Sequence, residues 1–308
     1  MRSVLIGLAA LAAVVGLAIA FALTRPPEAV VGTMSADRYV EVSGATVRVR
    51  EEGPKDAPVL LMLHGFTFSL ETWDALAEAL SDEYRIVRYD LLGHGLTGPD
   101  SQQRYAPEDR AAFAGDVMDA LGIERTILVG NSLGGLVAWR LAAAEPDRVD
   151  ALILVSPGAY SINGVGDAPA PVPPLVAAYL RLAPDAGVRA SAANIYADPD
   201  AVSEERYRQL GAMMRQPGNG EAFVRSLELF TLPDPDPILR EIEVPVLVVF
   251  GSDDQVVPPE HGERMARVLP DATFVSYEGV GHVAQEEAPD RLAEDIRAFL
   301  ADVPGDTE

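Results

Sequence analysis

The sequence predicts an α/β fold: a mostly parallel sheet flanked by helices, with a helical segment inserted into it. Three observations lead there. Short apolar runs, VLLMLH, RIVRYD, TILVGN, ALILVS and VLVVFG, alternate with amphipathic stretches such as LETWDALAEALS, APEDRAAFAGDVMDALG and APDRLAEDIRAFLADV. Strands buried on both faces read as continuous apolar runs, and parallel strands need helical crossovers between them. The alternation then fails between Pro157 and Pro237, where 11 of the 24 prolines lie and no segment reads as a buried strand. Finally, one apolar run, ILVGNSLGG, ends on a serine fenced by glycines.

The chain begins MRSVLIGLAALAAVVGLAIAFALTRPPEA, apolar from Val4 to Leu23, a run of 20 residues. As a helix it spans about 30 Å, the thickness of a bilayer's hydrocarbon core. Residues 1–25 are therefore expected to be a membrane anchor. A short, basic leader places the start in the cytoplasm and the folded domain on the extracytoplasmic side. The alternative is a secretory signal cleaved near Ala18-Ile19-Ala20 or Ala20-Phe21-Ala22, which would give a secreted or periplasmic protein. A linker, residues 26–37, follows.

RYVEVSGATVRVREEG alternates apolar and polar residues about Ser43-Gly44, the pattern of a β-hairpin. The core is expected over residues 38–156 and 241–302. Residues 157–240 hold APAPVPP and LPDPDP but also helical fragments, LVAAYLRLA and SEERYRQLGAMMRQ. A structureless loop of that length is rare in a compact domain, so a helical cap lying over the strand ends is expected.

Composition narrows the function. Hydrophobic residues make up 48% of the chain, ample for a core. The net charge is −23, from 24 basic and 47 acidic residues with a single lysine, Lys55, and such a surface repels a phosphate backbone, so nucleic acid is not expected as a partner. Without cysteine there is no disulfide, thiol nucleophile or thiolate metal site. The four histidines are scattered, no pair has ligand spacing on one helix, and no phosphate-loop pattern occurs, so neither metal nor cofactor is expected.

In ILVGNSLGG, Ser132 occupies the corner between a buried strand and the helix that GLVAWRLAAA continues. Gly130 and Gly134, lacking a Cβ, allow the two segments to approach. A serine hydroxyl is a weak nucleophile until a base takes its proton and an acid orients that base. His282, in the glycine-bearing loop YEGVGHVAQEEAP between a strand TFVSY and the last helix, is well placed to be the base. His261, at the start of a helix after VPPE, reads as a surface residue. Asp253 and Asp254 both end the run VLVVFGSDD, and spacing alone leaves the acid open between them.

LHGF, YDLLGHGLTG, GNSLGG, GSDDQVVP and GVGHVAQEEAP, in that order, make residues 38–302 strongly resemble the α/β-hydrolase superfamily, in its capped serine hydrolase branch. The resemblance implies an eight-stranded sheet and the nucleophile–acid–histidine order along the chain. Its pattern GxxDxxVP aligns Gly251, Asp254, Val257 and Pro258, selecting Asp254 as the acid, and its histidine aligns with His282. It further implies an oxyanion hole from the backbone amides of Phe66 and Leu133, with His64 and Asp90 as loop braces and His94 in a glycine-rich turn. Family members that are dehalogenases or epoxide hydrolases carry Asp at the elbow, so Ser132 argues against both. Carbon–carbon hydrolases of ring cleavage share GNS, but their HGxGPGA segment is here HGFTFSLETW, which makes them the alternative. Haloperoxidase and proline iminopeptidase relatives find no distinctive residue here. The expected function is a lipase-like or carboxylesterase-like serine hydrolase, with PVPPLVAAYLRL of the cap lining an entry for a lipophilic ester. A non-catalytic ligand-binding homologue is the reading from a different class.

Overall fold

The computed structural model describes residues 37–162 and 164–303. The apolar segment 1–25 lies outside the described residues, and among the described residues no helix is long and apolar enough to cross a membrane. Strands β1 (Asp37–Val42) and β2 (Ala45–Glu52) pair antiparallel around Ser43 and Gly44, both at positive φ (46° and 84°). Two successive left-handed residues match the twist of a tight hairpin.

Six further strands follow: β3 (Val59–Leu63), β4 (Arg85–Tyr89), β5 (Thr126–Asn131), β6 (Val149–Val155), β7 (Val246–Gly251) and β8 (Ala272–Tyr277). The eight strands form one sheet in the order β1-β2-β4-β3-β5-β6-β7-β8. It is parallel from β4 to β8, and β2 meets β4 antiparallel. Successive side chains of a strand point to opposite faces, so each apolar run feeds two cores. Leu61, Leu128 and Val248 pack with Phe113, Leu136 and Met265 of helices α2 (Pro107–Leu121), α3 (Leu133–Ala144) and α9 (Pro259–Val268). Leu60, Met62 and Val129 pack on the other face with Leu76 of α1 (Asp74–Leu80) and Leu292 and Ile296 of α11 (Pro289–Ala301).

Between β6 and β7 the chain forms α4 (Pro174–Leu182), α5 (Asp185–Ile195), α6 (Glu204–Met214), α7 (Asn219–Leu229) and the short α8 (Asp236–Leu239). The cap has its own core, in which Leu180, Val188, Tyr196, Leu210 and Phe223 pack on Phe68. The last helical piece before α11 is α10 (Ala284–Glu287). GHGLTG after β4 matches the spacing GxGxxG of dinucleotide sites. Here, however, it is a closed turn, with Gly93 N–H on the Gly98 carbonyl at 2.7 Å and Gly98 N–H on the His94 carbonyl at 3.0 Å, and the next helix starts only at Pro107. A dinucleotide site needs the helix to open directly after its glycines, and here turn and loop follow instead; the cap helix that does pack there, α7, closes the turn with Asn219 Nδ2 on the Gly95 carbonyl at 3.0 Å.

Candidate active site

β5 runs in the middle of the sheet, buried at every residue, and α3 begins two residues after its end. Ser132 makes the turn at φ 53°, ψ −113°, outside the usual wells for a side-chain-bearing residue. Neighbouring chains hold it there: its N–H donates to the Val155 carbonyl at 3.1 Å, and its carbonyl accepts from Gly158 at 2.9 Å. A Cβ on Gly134 would lie 2.0 Å from the Leu63 carbonyl oxygen, and one on Gly130 would lie 2.5 Å from that of Gly134. The glycines thus let helix and sheet pack backbone to backbone while Ser132, between buried Asn131 and Leu133, stays half-exposed.

Past β7, Ser252 and Asp253 donate their amides to the Tyr277 and Val280 carbonyls, at 2.9 Å each. This turn leaves Asp253 exposed and Asp254 only 7% exposed. Asp254 Oδ1 accepts from the amides of Val256 (2.8 Å) and Val257 (2.9 Å), which frees Oδ2 for His282 Nδ1 at 2.9 Å. Burial alone would raise the Asp254 carboxyl, but the hydrogen bond from His282 and that from the Val257 amide hold it below the usual carboxylate range. An ionised carboxylate only accepts, so His282 carries its proton on Nδ1 and presents Nε2 as an acceptor.

The His282 loop is fixed from three sides. Its amide donates to the Ile195 carbonyl of the cap at 2.7 Å, and its carbonyl accepts from Asn131 Nδ2 at 3.0 Å. Glu287 takes the Gly281 amide (3.0 Å) on one oxygen and the cap's Ala197 amide (2.8 Å) on the other. Next to it, Glu286 receives Arg206 Nε (3.0 Å), the Tyr196 hydroxyl (2.8 Å) and the Thr72 hydroxyl (2.5 Å).

The remaining expected residues fall near this centre. His64 is fully buried, donates Nδ1–H to the Gly65 carbonyl at 2.8 Å and accepts the Leu91 amide on Nε2 at 2.9 Å, a neutral brace that burial holds down to about 4. Asp90 accepts the amides of Leu70 (2.8 Å) and Leu96 (2.7 Å) and faces Arg48. Buried His94 packs against Phe66 and the cap's Phe223. His261 departs from its expected place on the surface: it is half-buried on α9, with its ring 5.3 Å from that of Tyr160. Leu133 is the first residue of α3, so its amide has no acceptor within the helix. Phe66 precedes Thr67, which is held at φ 64°. Among the described residues no group of three or more His, Asp or Glu could hold a metal ion.

Two cavities meet at Ser132. One, of about 450 Å³, is lined by His282 and by polar Thr67, Ser191, Asn194 and Gln255. The other, of about 520 Å³, is lined by Leu133, Val172, Val176, Leu227, Phe230 and Val257 among others, and Phe66 borders both. Asn131, Asn194, Glu286 and Glu287 were not singled out from sequence. The EE pair two residues past the HVA segment was the one visible signal, since acids in a loop that must be held need partners.

A parallel sheet with a serine on a strand-to-helix corner and a buried His–Asp pair from the next strand ends defines the hydrolase class of α/β proteins. The chain matches the alpha/beta hydrolase fold family over residues 58–289, and it belongs to that family. It is 31% identical over 274 residues to a non-heme chloroperoxidase of Streptomyces lividans, covering 83% of this chain and 96% of that one. A bifunctional esterase/perhydrolase of Acinetobacter calcoaceticus is 28% identical, with the same coverage of 83% and 96%. Among solved structures, a membrane phospholipase A described as a bacterial virulence factor superposes with a TM-score of 0.73 at 26% identity, covering 98% of this chain and 99% of that one.

Proposed function

We propose that the protein is a serine hydrolase that cleaves carboxylic esters through an acyl-enzyme on Ser132, in the manner of lipases and carboxylesterases. The observation that carries this is Ser132, strained and half-exposed, sharing one cavity with a His282 whose Nδ1 is held by Asp254 at 2.9 Å. Ser132 Oγ attacks the ester carbonyl carbon as His282 Nε2 takes its proton, and the carbonyl π pair moves onto oxygen. The amides of Phe66 and Leu133 receive that oxyanion, worth about 3 kcal/mol per donor in comparable sites. Collapse breaks the C–O bond to the alcohol, which leaves with the proton from His282. Water then repeats the sequence on the acyl-enzyme and frees the acid. His282 lines the polar cavity, so the alcohol departs there and the acyl group occupies the apolar one. The likeness to an esterase/perhydrolase supports the ester chemistry.

The test is Ser132→Ala assayed on p-nitrophenyl acyl esters. Turnover should fall by about a thousandfold or more, toward the residual that the oxyanion hole and binding supply over the uncatalysed reaction, with the melting temperature retained. A variant retaining more would remove Ser132 from the chemistry, and wild type without turnover would favour ligand binding.

The 20 apolar residues Val4–Leu23 support a single-pass anchor with the catalytic domain on the extracytoplasmic side, and the likeness over 98% of the chain to a membrane phospholipase agrees. Full-length protein should then sediment with membranes in high salt. Recovery of soluble protein starting near Phe21 or Leu23 would mean a cleaved signal.

A further inference from the structure

Arg110 stands in PEDRAAFAG, near the start of α2, where a charged residue ordinarily faces water. It is instead 2% exposed, under the cap. Its Nε donates to the Tyr105 carbonyl (3.1 Å), Nη1 to the Leu92 carbonyl (2.9 Å) and Nη2 to the Ser226 hydroxyl of α7 (2.9 Å). The Tyr105 ring lies 5.3 Å from its Cζ. All of these partners are neutral. Asp100, whose field reaches Arg110, is ion-paired with Arg104 at 2.8 Å, and His94, which also feels its charge, is neutral and buried.

Other buried guanidiniums of this protein are treated differently. Arg48 faces Asp37, Glu71 and Asp90, and Arg88 faces Glu52 and Asp74. With 47 acidic residues in the chain, carboxylates are not scarce. A buried charge is costly without a counter-charge. Yet Arg110 forms no ion pair with any described residue. Three of its five N–H groups are used, which leaves one on each terminal nitrogen, the number a carboxylate takes in a bidentate pair. Arg110, Ser226 and Tyr105 all line the apolar cavity that opens on Ser132, and Arg110 is the only charged side chain among its lining residues.

We propose that this cavity receives acyl chains that end in a carboxylate, the half-esters of dicarboxylic acids. The distal carboxylate pairs with Arg110 and the Ser226 hydroxyl, the methylene chain lies along Val172, Leu227 and Phe230, and the ester carbonyl reaches Ser132. This rests on the ester reading, in which the alcohol leaves on the His282 side.

The test compares mono-p-nitrophenyl esters of succinic, adipic and suberic acid with the butanoyl, hexanoyl and octanoyl esters, matched carbon for carbon. At one length or more, wild-type kcat/KM should favour the acid-ended ester by at least about tenfold, as expected for a buried charge pair, with the gain in KM. In Arg110→Met the ratio should fall to about one, and in Arg110→Lys, which keeps the charge but loses the fork, to an intermediate value. Using the ratio within each variant cancels any general loss of folded enzyme, and the wild-type ratio stands whatever becomes of the variants. In parallel, monomethyl adipate should raise the melting temperature of Ser132→Ala but not of Ser132→Ala/Arg110→Met. Turnover of the methyl-ended esters with no preference at any length overturns the inference and leaves the ester reading standing. A preference that survives Arg110→Met overturns the role of Arg110. No turnover of either series, with an Arg110-dependent melting shift, keeps the anion site and overturns the ester reading. Neither turnover nor shift overturns both.

Discussion

Two adjacent carboxylates, one of them bonded to His282, offer a controlled experiment. In Asp254→Asn the new amide has only one reasonable orientation. Its oxygen must take the Oδ1 position, where the amides of Val256 and Val257 converge at 2.8 and 2.9 Å, because an NH₂ there would face two donors. The NH₂ is then aimed at His282 Nδ1 and donates to it. The imidazole is forced to carry its proton on Nε2, where it cannot accept the Ser132 proton, and the carboxylate that stabilises the imidazolium is gone. A wrong tautomer with intact geometry costs about 10³- to 10⁴-fold in kcat in comparable triads, or about 4–5 kcal/mol at 1.36 kcal/mol per decade. Asp253→Asn, by contrast, alters an exposed side chain whose contact is the Ser252 hydroxyl at 3.2 Å, and turnover should stay within about twofold, as for surface changes generally. The assay is initial-rate hydrolysis of a p-nitrophenyl ester at fixed pH, with thermal melts to verify folding. Equal losses in the two variants, or an Asp254→Asn enzyme keeping more than about a tenth of its activity, would refute the tautomer account.

Gly134→Ala should be among the most destabilising single substitutions, since its Cβ meets the Leu63 carbonyl oxygen at 2.0 Å and the His64 carbonyl oxygen at 2.7 Å. A loss of about 3 kcal/mol or more in urea unfolding, or no soluble protein, is expected, and a variant of wild-type stability would mean that helix and sheet can part. Stability should also fall on acidification below about pH 6.5, the unfolded histidine value. Burial holds His64 down to about 4 and His94 well below its ordinary value, so between those limits the unfolded chain binds protons that the folded one refuses. Asp90, pushed up to about 6 by burial, works in the opposite direction. With two histidines and the lowered carboxylate of Asp254 on one side, the net should be a loss of stability between pH 7 and 4, read from urea midpoints, and a protein that gains stability over that interval would refute it.

The sheet was legible because burial on both faces erases alternation. TILVGN can be little else than a central strand, and the positive-φ pair Ser43-Gly44 announces its own hairpin. The Ser132 corner and the His282 loop are likewise local chemistry, readable from neighbours in sequence. The cap was not. α5 buries only Val188 and Ala192, leaving DAGVRASAANI without an apolar stripe, and α7 opens with Gly218-Asn219-Gly220, which reads as a turn. Arg110 was invisible for a different reason. On α2 alone it looks solvated, and only α7, more than a hundred residues later, closes over it. His261 failed the same way, its half-burial coming from Tyr160 on the far side of the insertion.

The hydrogen bond from the His282 amide to the Ile195 carbonyl limits how this architecture can be re-engineered. Cap exchange is an attractive way to give a hydrolase a new substrate range, because the insertion begins and ends between two strands. Here, however, the His282 loop is finished by the piece that would be discarded. A donor cap must deliver one backbone oxygen to the position of the Ile195 carbonyl and one backbone N–H to Glu287, whatever pocket it builds. Chimeras chosen for those two atoms should retain a working base, and chimeras chosen only for pocket shape should fold around an imidazole that wanders.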